Sequence, residues 1–471
     1  MAASRLARGL LLAGLVITVP VRPVAAQSDG ARDEAIEHTT LVYPPFAHTL
    51  GIHRARPVHL KLFLGDRTRF DDPQGVAAVK FASDDDPEAK GDDYQLTLFG
   101  VNSGRGEILY NSSMQTLAIY GGQGSGPGRF SAPRGVAATV DGRIYVADTG
   151  NRRVARLRWD PVGRKLDWVG EWSAPGPFDV ATDQRGNLWA ADPVAEAVLR
   201  FADSTAGAGS SLLPPSPIDG DRWPLPEDVE GPTALAIGDS LDPWYHPPGY
   251  RLYLVDRDGG RLRAYDAEGR VLAEITPAEL DRPDDRPGHF GYVELDYYGN
   301  VYVSDPVAEV LYKLDPALEP LATFPGPGPA TESLVEPRGV AIWPRFGQVF
   351  VAERDGARYF FVGTDFRTLS DPVEVRVAVD SAYAFDVFLT EVSFVNAAFL
   401  GASGDTLAFV ETGTYGPGRL TIGWSAEDWT EPPPPDFQDR VERVEIEARP
   451  TYSSRKRFSL VRTFGVRWNR P

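Results

Sequence analysis

Residues 130–157, FSAPRGVAATVDGRIYVADTGNRRVARL, alternate short apolar runs with tight turns. Residues 135–139 are mostly small and apolar, Asp141-Gly142 is a hairpin signal, and residues 144–147 carry β-branched, aromatic and small side chains. A second turn at 148–151 leads into alternation over 154–157, so the stretch predicts three antiparallel strands. A unit of this size cannot bury both faces alone, which implies copies of itself packed alongside.

The chain supplies six such copies. FDDPQGVA (70–77) opens the first and residues 130–137 open the second. PFDVA (177–181) with LWAAD (188–192) marks the third, and PTALAI (232–237) with LYLVD (252–256) the fourth. Residues 291–296 with VYVSD (301–305) give the fifth, and PRGVA (337–341) with VFVAE (349–353) the sixth. ADPVAEAVLRF from Ala191 and SDPVAEVLYKL from Ser304 are nearly the same run. A period of roughly 40 to 60 residues with several strands per copy predicts a propeller rather than a solenoid. A fourth, outer strand is expected at 116–120 and at 165–172. Residues 59–64 have the same placement before the first copy, so they are expected to complete the last blade and close the ring.

YGGQGSGPGRFSAPRGVA (120–137), followed by GRIYVADTGNRRV (142–154), resembles the NHL repeat. The other copies keep the acidic residue and the hydrophobic frame but lose the GN-x-R run, and the resemblance covers about residues 58–361. It implies a six-bladed β-propeller. It leaves function open among protein binders, RNA binders, lyases and lactonases.

Residues 1–26 read as a signal peptide: Arg5 and Arg8 precede an apolar core over 9–19, and Val24-Ala25-Ala26 fits cleavage before Gln27. The protein is therefore expected to be secreted or periplasmic. It has no Cys, so neither a lipid-anchored Cys nor disulfides are available. No other segment is apolar enough to span a membrane as a helix. Residues 1–26 hold three Arg and no acidic residue, so their removal takes the formal charge from −18 to −21. Such a chain is a poor match for nucleic acid or anionic lipid.

Residues 27–57 read as an extended lead-in, 58–362 as the propeller, 363–372 as a linker and 373–471 as a small β-sandwich-like domain of no recognised family. Six strands are expected there: 373–379, 385–395, 406–411, 419–424, 441–448 and 458–468. His38, His48 and His53 in the lead-in, and the acidic insert at 84–93, lack the spacing of a metal site.

The acid that ends each second strand (Asp148, Asp192, Asp256, Asp305, Glu353) recurs too regularly for chemistry and is expected to bind turn amides. Chemistry is better sought where one copy departs from the others. At the starts of the inner strands the departures are Arg134, Phe178, Asp179, Tyr292 and Arg338. The two guanidiniums are placed to fork onto a carboxylate, sulfate or phosphate, or else to pair with acidic neighbours. In the fourth copy an insert brings Trp244 and Tyr245 between prolines, a rigid contact surface or a cover for the blade edge. These residues predict an exported, non-catalytic binding or scaffold protein for a protein or glycan ligand, with no cofactor. The alternative is a Ca²⁺-dependent hydrolase or lyase, lactonase-like, with Asp179 and Glu294 as the inner-strand acids in the channel.

Overall fold

The computed structural model describes residues 40–44, 53–84, 96–112, 116–202, 221–282, 286–325, 333–378, 382–452 and 458–469. The leader at 1–26, His38, His48 and most of the acidic insert lie outside these residues.

Five of the six repeats fold as four-stranded antiparallel blades, and the sixth supplies three strands of a five-stranded antiparallel sheet. The inner strands are Pro73–Lys80, Pro133–Ala138, Asp179–Thr182, Ala234–Asp239, Val293–Leu295 and Val340–Trp343. Neighbouring inner strands touch in a closed cycle, first to second and on to sixth and back to first, around a central channel. The second strands show why the sequence reads as apolar runs. In Arg143–Asp148, Ile144 and Val146 pack against the first blade with Phe99 and Ile108, while Tyr145 and Ala147 pack against the third with Leu188 and Ala190. A strand sends successive side chains to opposite faces, and here both faces are covered by a neighbouring blade.

The recurring acids do bind turns. Asp148 accepts from Ser131 N at 2.8 Å, Asn151 Nδ2 at 2.8 Å and Arg153 Nε at 2.7 Å. Asp192 accepts from Gly176 N and Ala195 N, each at 2.8 Å, and Asp305 from His289 N and Ala308 N, each at 2.8 Å. In the first blade Asn102 takes the position and accepts from Asp71 N at 2.8 Å.

An N-terminal segment closes the ring, although not the expected one. Leu41–Val42 and Arg54–Ala55 both pair antiparallel with Gly356–Val362 of the sixth blade, in registers Leu41↔Val362 and Arg54↔Arg358. Residues 59–64 belong instead to the helix Pro57–Leu64. Pro57 sits at its first turn and Arg56 N donates to His59 Nδ1 at 3.1 Å. Leu60 and Leu64, one turn apart, pack on Leu109, Leu117 and Ile119 of the first blade. The strand slot at the sixth blade is already filled, and helical spacing buries Leu60 and Leu64 of this segment while Val58, Leu62 and Phe63 stay exposed.

Residues 366–469 form one eight-stranded sheet curled over a single core that includes Phe385, Phe399, Val410, Trp424 and Val444. Two features differ from expectation. Phe366–Thr368, within the expected linker, pairs with residues 387–389, and the long strand expected at 385–395 breaks into Tyr383–Leu389 and Ser393–Gly401. The turn between those two strands carries Glu391, which accepts a hydrogen bond from Lys313 of the fifth blade, both side chains being buried. Tyr298 and Thr451 share a 2.6 Å hydrogen bond beside it, and Phe458 packs 5.5 Å from Phe361. Asp296 also faces Lys313, so two acids share one ammonium, and burial pushes the Glu391 carboxyl up to about 7. Among the described residues no helix is long and apolar enough to cross a membrane.

Closure makes a testable demand. Deleting residues 1–56 exposes the edge of Gly356–Val362 and should lower the melting temperature by on the order of 10 °C and promote aggregation. An unchanged melt with a monodisperse product by light scattering would show that the ring does not need its N-terminal strands.

Candidate active site in the central channel

The inner strands come unusually close where they begin. A Cβ on Gly75 would lie 2.8 Å from Arg134 O, one on Gly339 2.4 Å from Gln74 O, and one on Gly135 2.2 Å from Asp179 Oδ1. Glycine is thus required at three starts because the neighbouring blade's backbone or side chain fills the space. The third blade breaks the pattern with Asp179, and its carboxyl occupies the room that Gly135 leaves.

Tyr292, at the equivalent position of the fifth blade, divides the channel. Its hydroxyl donates to Gln74 Oε1 of the first blade at 3.2 Å, and its ring lies 6.3 Å from that of Phe178 of the third. Tyr292 and Gln74 are both buried. A wide chamber of about 1470 Å³ opens on one side of this plate and a smaller one of about 360 Å³ on the other.

The wide chamber holds the acids. Asp179 is buried and accepts from Leu235 N of the fourth blade at 3.2 Å. Desolvation raises its carboxyl to about 7, against the two backbone amides that favour the anion. Glu294 stands in the channel wall of the fifth blade, enclosed by protein yet open to the chamber, with Leu295 N donating to Oε1 at 2.9 Å. Burial, and the like charges of Asp179 and Asp242, raise it to about 8. Asp242 lies at the rim, where it accepts from Trp244 N at 2.8 Å and from Gln184 Nε2 at 3.0 Å. Two carboxyls on blades three and five therefore keep their protons close to neutral pH.

The sequence-derived candidates divide between the chambers. Asp179, Trp244 and Tyr292 line the wide one, as Glu294 does, and Arg134, Phe178, Arg338 and Tyr292 line the small one. Arg345 sits 4.9 Å from the Trp244 ring. Tyr245 is buried and packs into the interior against Gly238 and Gly299. Arg338 is tied across the mouth to Asp72 and to Pro73 O at 3.2 Å. Asp242 and Gln184 are the residues that sequence reasoning missed. They sit on turns between first and second strands, and only the ring brings them beside the inner-strand acids.

A Ca²⁺ ion wants six to eight oxygen ligands. Among the described residues no three His, Cys, Asp or Glu side chains come together as a metal set. Asp179 and Glu294 each already accept from backbone amides. The channel acids do not fit a Ca²⁺ site, and no reaction step is routed through one.

The NHL repeat family model matches residues 130–157. No curated protein matches the chain. Among solved structures, a streptogramin B lyase is 13% identical over 62% of this chain and 94% of its own, with a TM-score of 0.40. A putative gluconolactonase is 15% identical over 68% and 97%, with a TM-score of 0.42, and a gluconolactonase from Xanthomonas campestris is 16% identical over 65% and 94%, with a TM-score of 0.39. At these identities the likeness concerns the fold alone. The expectation of a non-catalytic binding or scaffold protein is corrected here on the channel itself, whose wide chamber encloses two carboxyls raised toward neutral pH; the similar propellers are named as a lyase and lactonases. The residues that the sequence reading weighed as a binding mouth also lie in two separate chambers.

The contact at Gly135 tests the geometry. Gly135→Ala should cost about 1–3 kcal/mol through overpacking and displace the Asp179 carboxyl. The check is chemical denaturation together with the Asp179 pKa by NMR. An unaltered pKa in a folded variant would remove Gly135 from the site.

Proposed function

We propose that the protein is a hydrolase or lyase that works by general acid–base catalysis in the wide chamber, with Asp179 as base and Glu294 as acid. The observation that carries this reading is the pair of enclosed carboxyls on blades three and five, raised to about 7 and about 8 by desolvation, with the Asp179 charge adding to the rise at Glu294. The lower of the two loses its proton first, so between them Asp179 is the anion that accepts a proton from water or substrate. Glu294 remains the acid that protonates the departing oxygen or nitrogen. Trp244, at the rim, supplies an apolar face for the substrate body. The leader-like residues 1–26 support placing this activity outside the cytoplasm.

The test is a screen of the mature chain against lactones, esters, glycosides and lyase substrates in the presence of EDTA. Activity should be bell-shaped in pH, with limbs near 7 and 8. Asp179→Asn and Glu294→Gln should each lower kcat by roughly 10²- to 10⁴-fold. Turnover that disappears with EDTA, or that both variants retain, would overturn the assignment.

The same pair sets a stability trend. Both folded-state values lie above those of an unfolded chain, so the folded state is favoured most below the unfolded pKa, at about pH 4. That contribution is lost as pH rises through about 7 and 8. The Asp179→Asn/Glu294→Gln double variant should therefore melt above the parent at about pH 9 and lose less stability on the way there from about pH 5. Parallel melting curves for the two proteins across that range would show that the carboxyls are not desolvated.

A further inference from the structure

The small chamber on the other side of Tyr292 carries chemistry that the reaction does not use. Its volume of about 360 Å³ falls in the range of small-molecule sites. The Arg134 guanidinium is half-buried at its wall, 4.8 Å from the centroid of the Phe178 ring. Among the described residues no carboxylate pairs with it and no oxygen accepts a hydrogen bond from it. Other arginines in this acidic chain find acids: Arg153 on Asp148, Arg261 on Asp256, Arg338 on Asp72. Of the two acids lining the same chamber, Asp72 is already held by Arg338 and by Gln74 Nε2 at 2.9 Å, and Asp258 is exposed to solvent. Thr233 and His289 add polar groups at the rim, and the faces of Phe178 and Tyr292 form an apolar floor.

A guanidinium stays charged at any ordinary pH, and enclosing it raises the demand for an acceptor. Its planar fork, already oriented by the Phe178 ring, matches the two oxygens of a carboxylate. We propose that the small chamber is a second ligand site, taking a small carboxylate whose body rests on Phe178 and Tyr292 and whose oxygens are bound by Arg134. The plate formed by Tyr292 and Gln74 separates this ligand from Asp179 and Glu294, so the site does not rest on the reaction assigned to them.

The probes are benzoate, hexanoate and inorganic phosphate, titrated calorimetrically into the mature full-length protein. Benzoate or hexanoate should saturate one site. Arg134→Gln should weaken that binding at least about tenfold, a loss typical of a bidentate charge-assisted pair. Arg134→Lys, which keeps the charge without the fork, should fall between the two, and Asp179→Asn should bind as the parent does. Melting curves confirm that each variant is folded. The proposal fails if neither carboxylate saturates, if Arg134→Gln binds as tightly as the parent, or if Asp179→Asn loses binding as much as Arg134→Gln does. Phosphate binding as tight as that of the carboxylates would equally overturn it, because the chamber would then be selecting charge rather than carboxylate shape.

Discussion

Burial of each blade between two neighbours is the constraint on which the rest of the molecule depends. A four-stranded blade has two apolar faces and no solvent side, so none can fold with a missing neighbour. Six interblade cores satisfy this in a closed cycle, and the last is completed when Leu41–Val42 and Arg54–Ala55 join the sixth blade. The recurring acids serve the same end. Asp148, Asp192, Asp305 and Glu353 tie their second strands to nearby backbone amides and Asp256 is held by Arg261, which leaves them unavailable for chemistry in the channel.

The channel follows from that closure. Packing six inner strands side by side leaves so little room at their starts that glycine is needed at 75, 135 and 339. Where the repeat departs from glycine, the substituted side chain has nowhere to go except toward the axis. Asp179 lies over Gly135 and is desolvated, and Tyr292 spans to Gln74 and Phe178 and splits the axis in two. Burial acts on both Asp179 and Glu294, and like charge adds to it at Glu294, giving two carboxyls that exchange protons near neutrality. The energetic cost of enclosing them falls on folding stability.

The C-terminal sheet is docked by a similar device used for a different purpose. Lys313 of the fifth blade faces Asp296 of its own blade and Glu391 of the C-terminal sheet, with its ammonium 5.4 Å from the centroid of the Tyr302 ring. A buried ion pair of this kind is weak evidence for stability, but losing one partner is severe, so it fixes the position of the docked sheet. The aromatic contacts of Tyr452 and Phe458 add the apolar area beside it.

Much of this was legible in the chain. The alternation within residues 130–157, the six copies, the outer strands and the regular recurrence of Asp148 and its counterparts required only local periodicity and turn chemistry. The inner-strand positions at which one copy departs from the rest also pointed to Asp179 and Tyr292. Periodicity could not decide residues 57–64, because PVHLKLFL satisfies both spacings and the choice fell to whichever edge was still open. Nor could it separate Trp244 from Tyr245. The two are adjacent in one insert, yet one faces the chamber and the other fills the space over Gly238 and Gly299, two glycines on different blades. The sequence by itself determined the first five blades, since each is built from contacts within about fifty residues, whereas the sixth takes two strands from the N-terminal part of the chain. Only the closed ring decided which side chains share a chamber, because those neighbours come from all six blades and meet only at the axis.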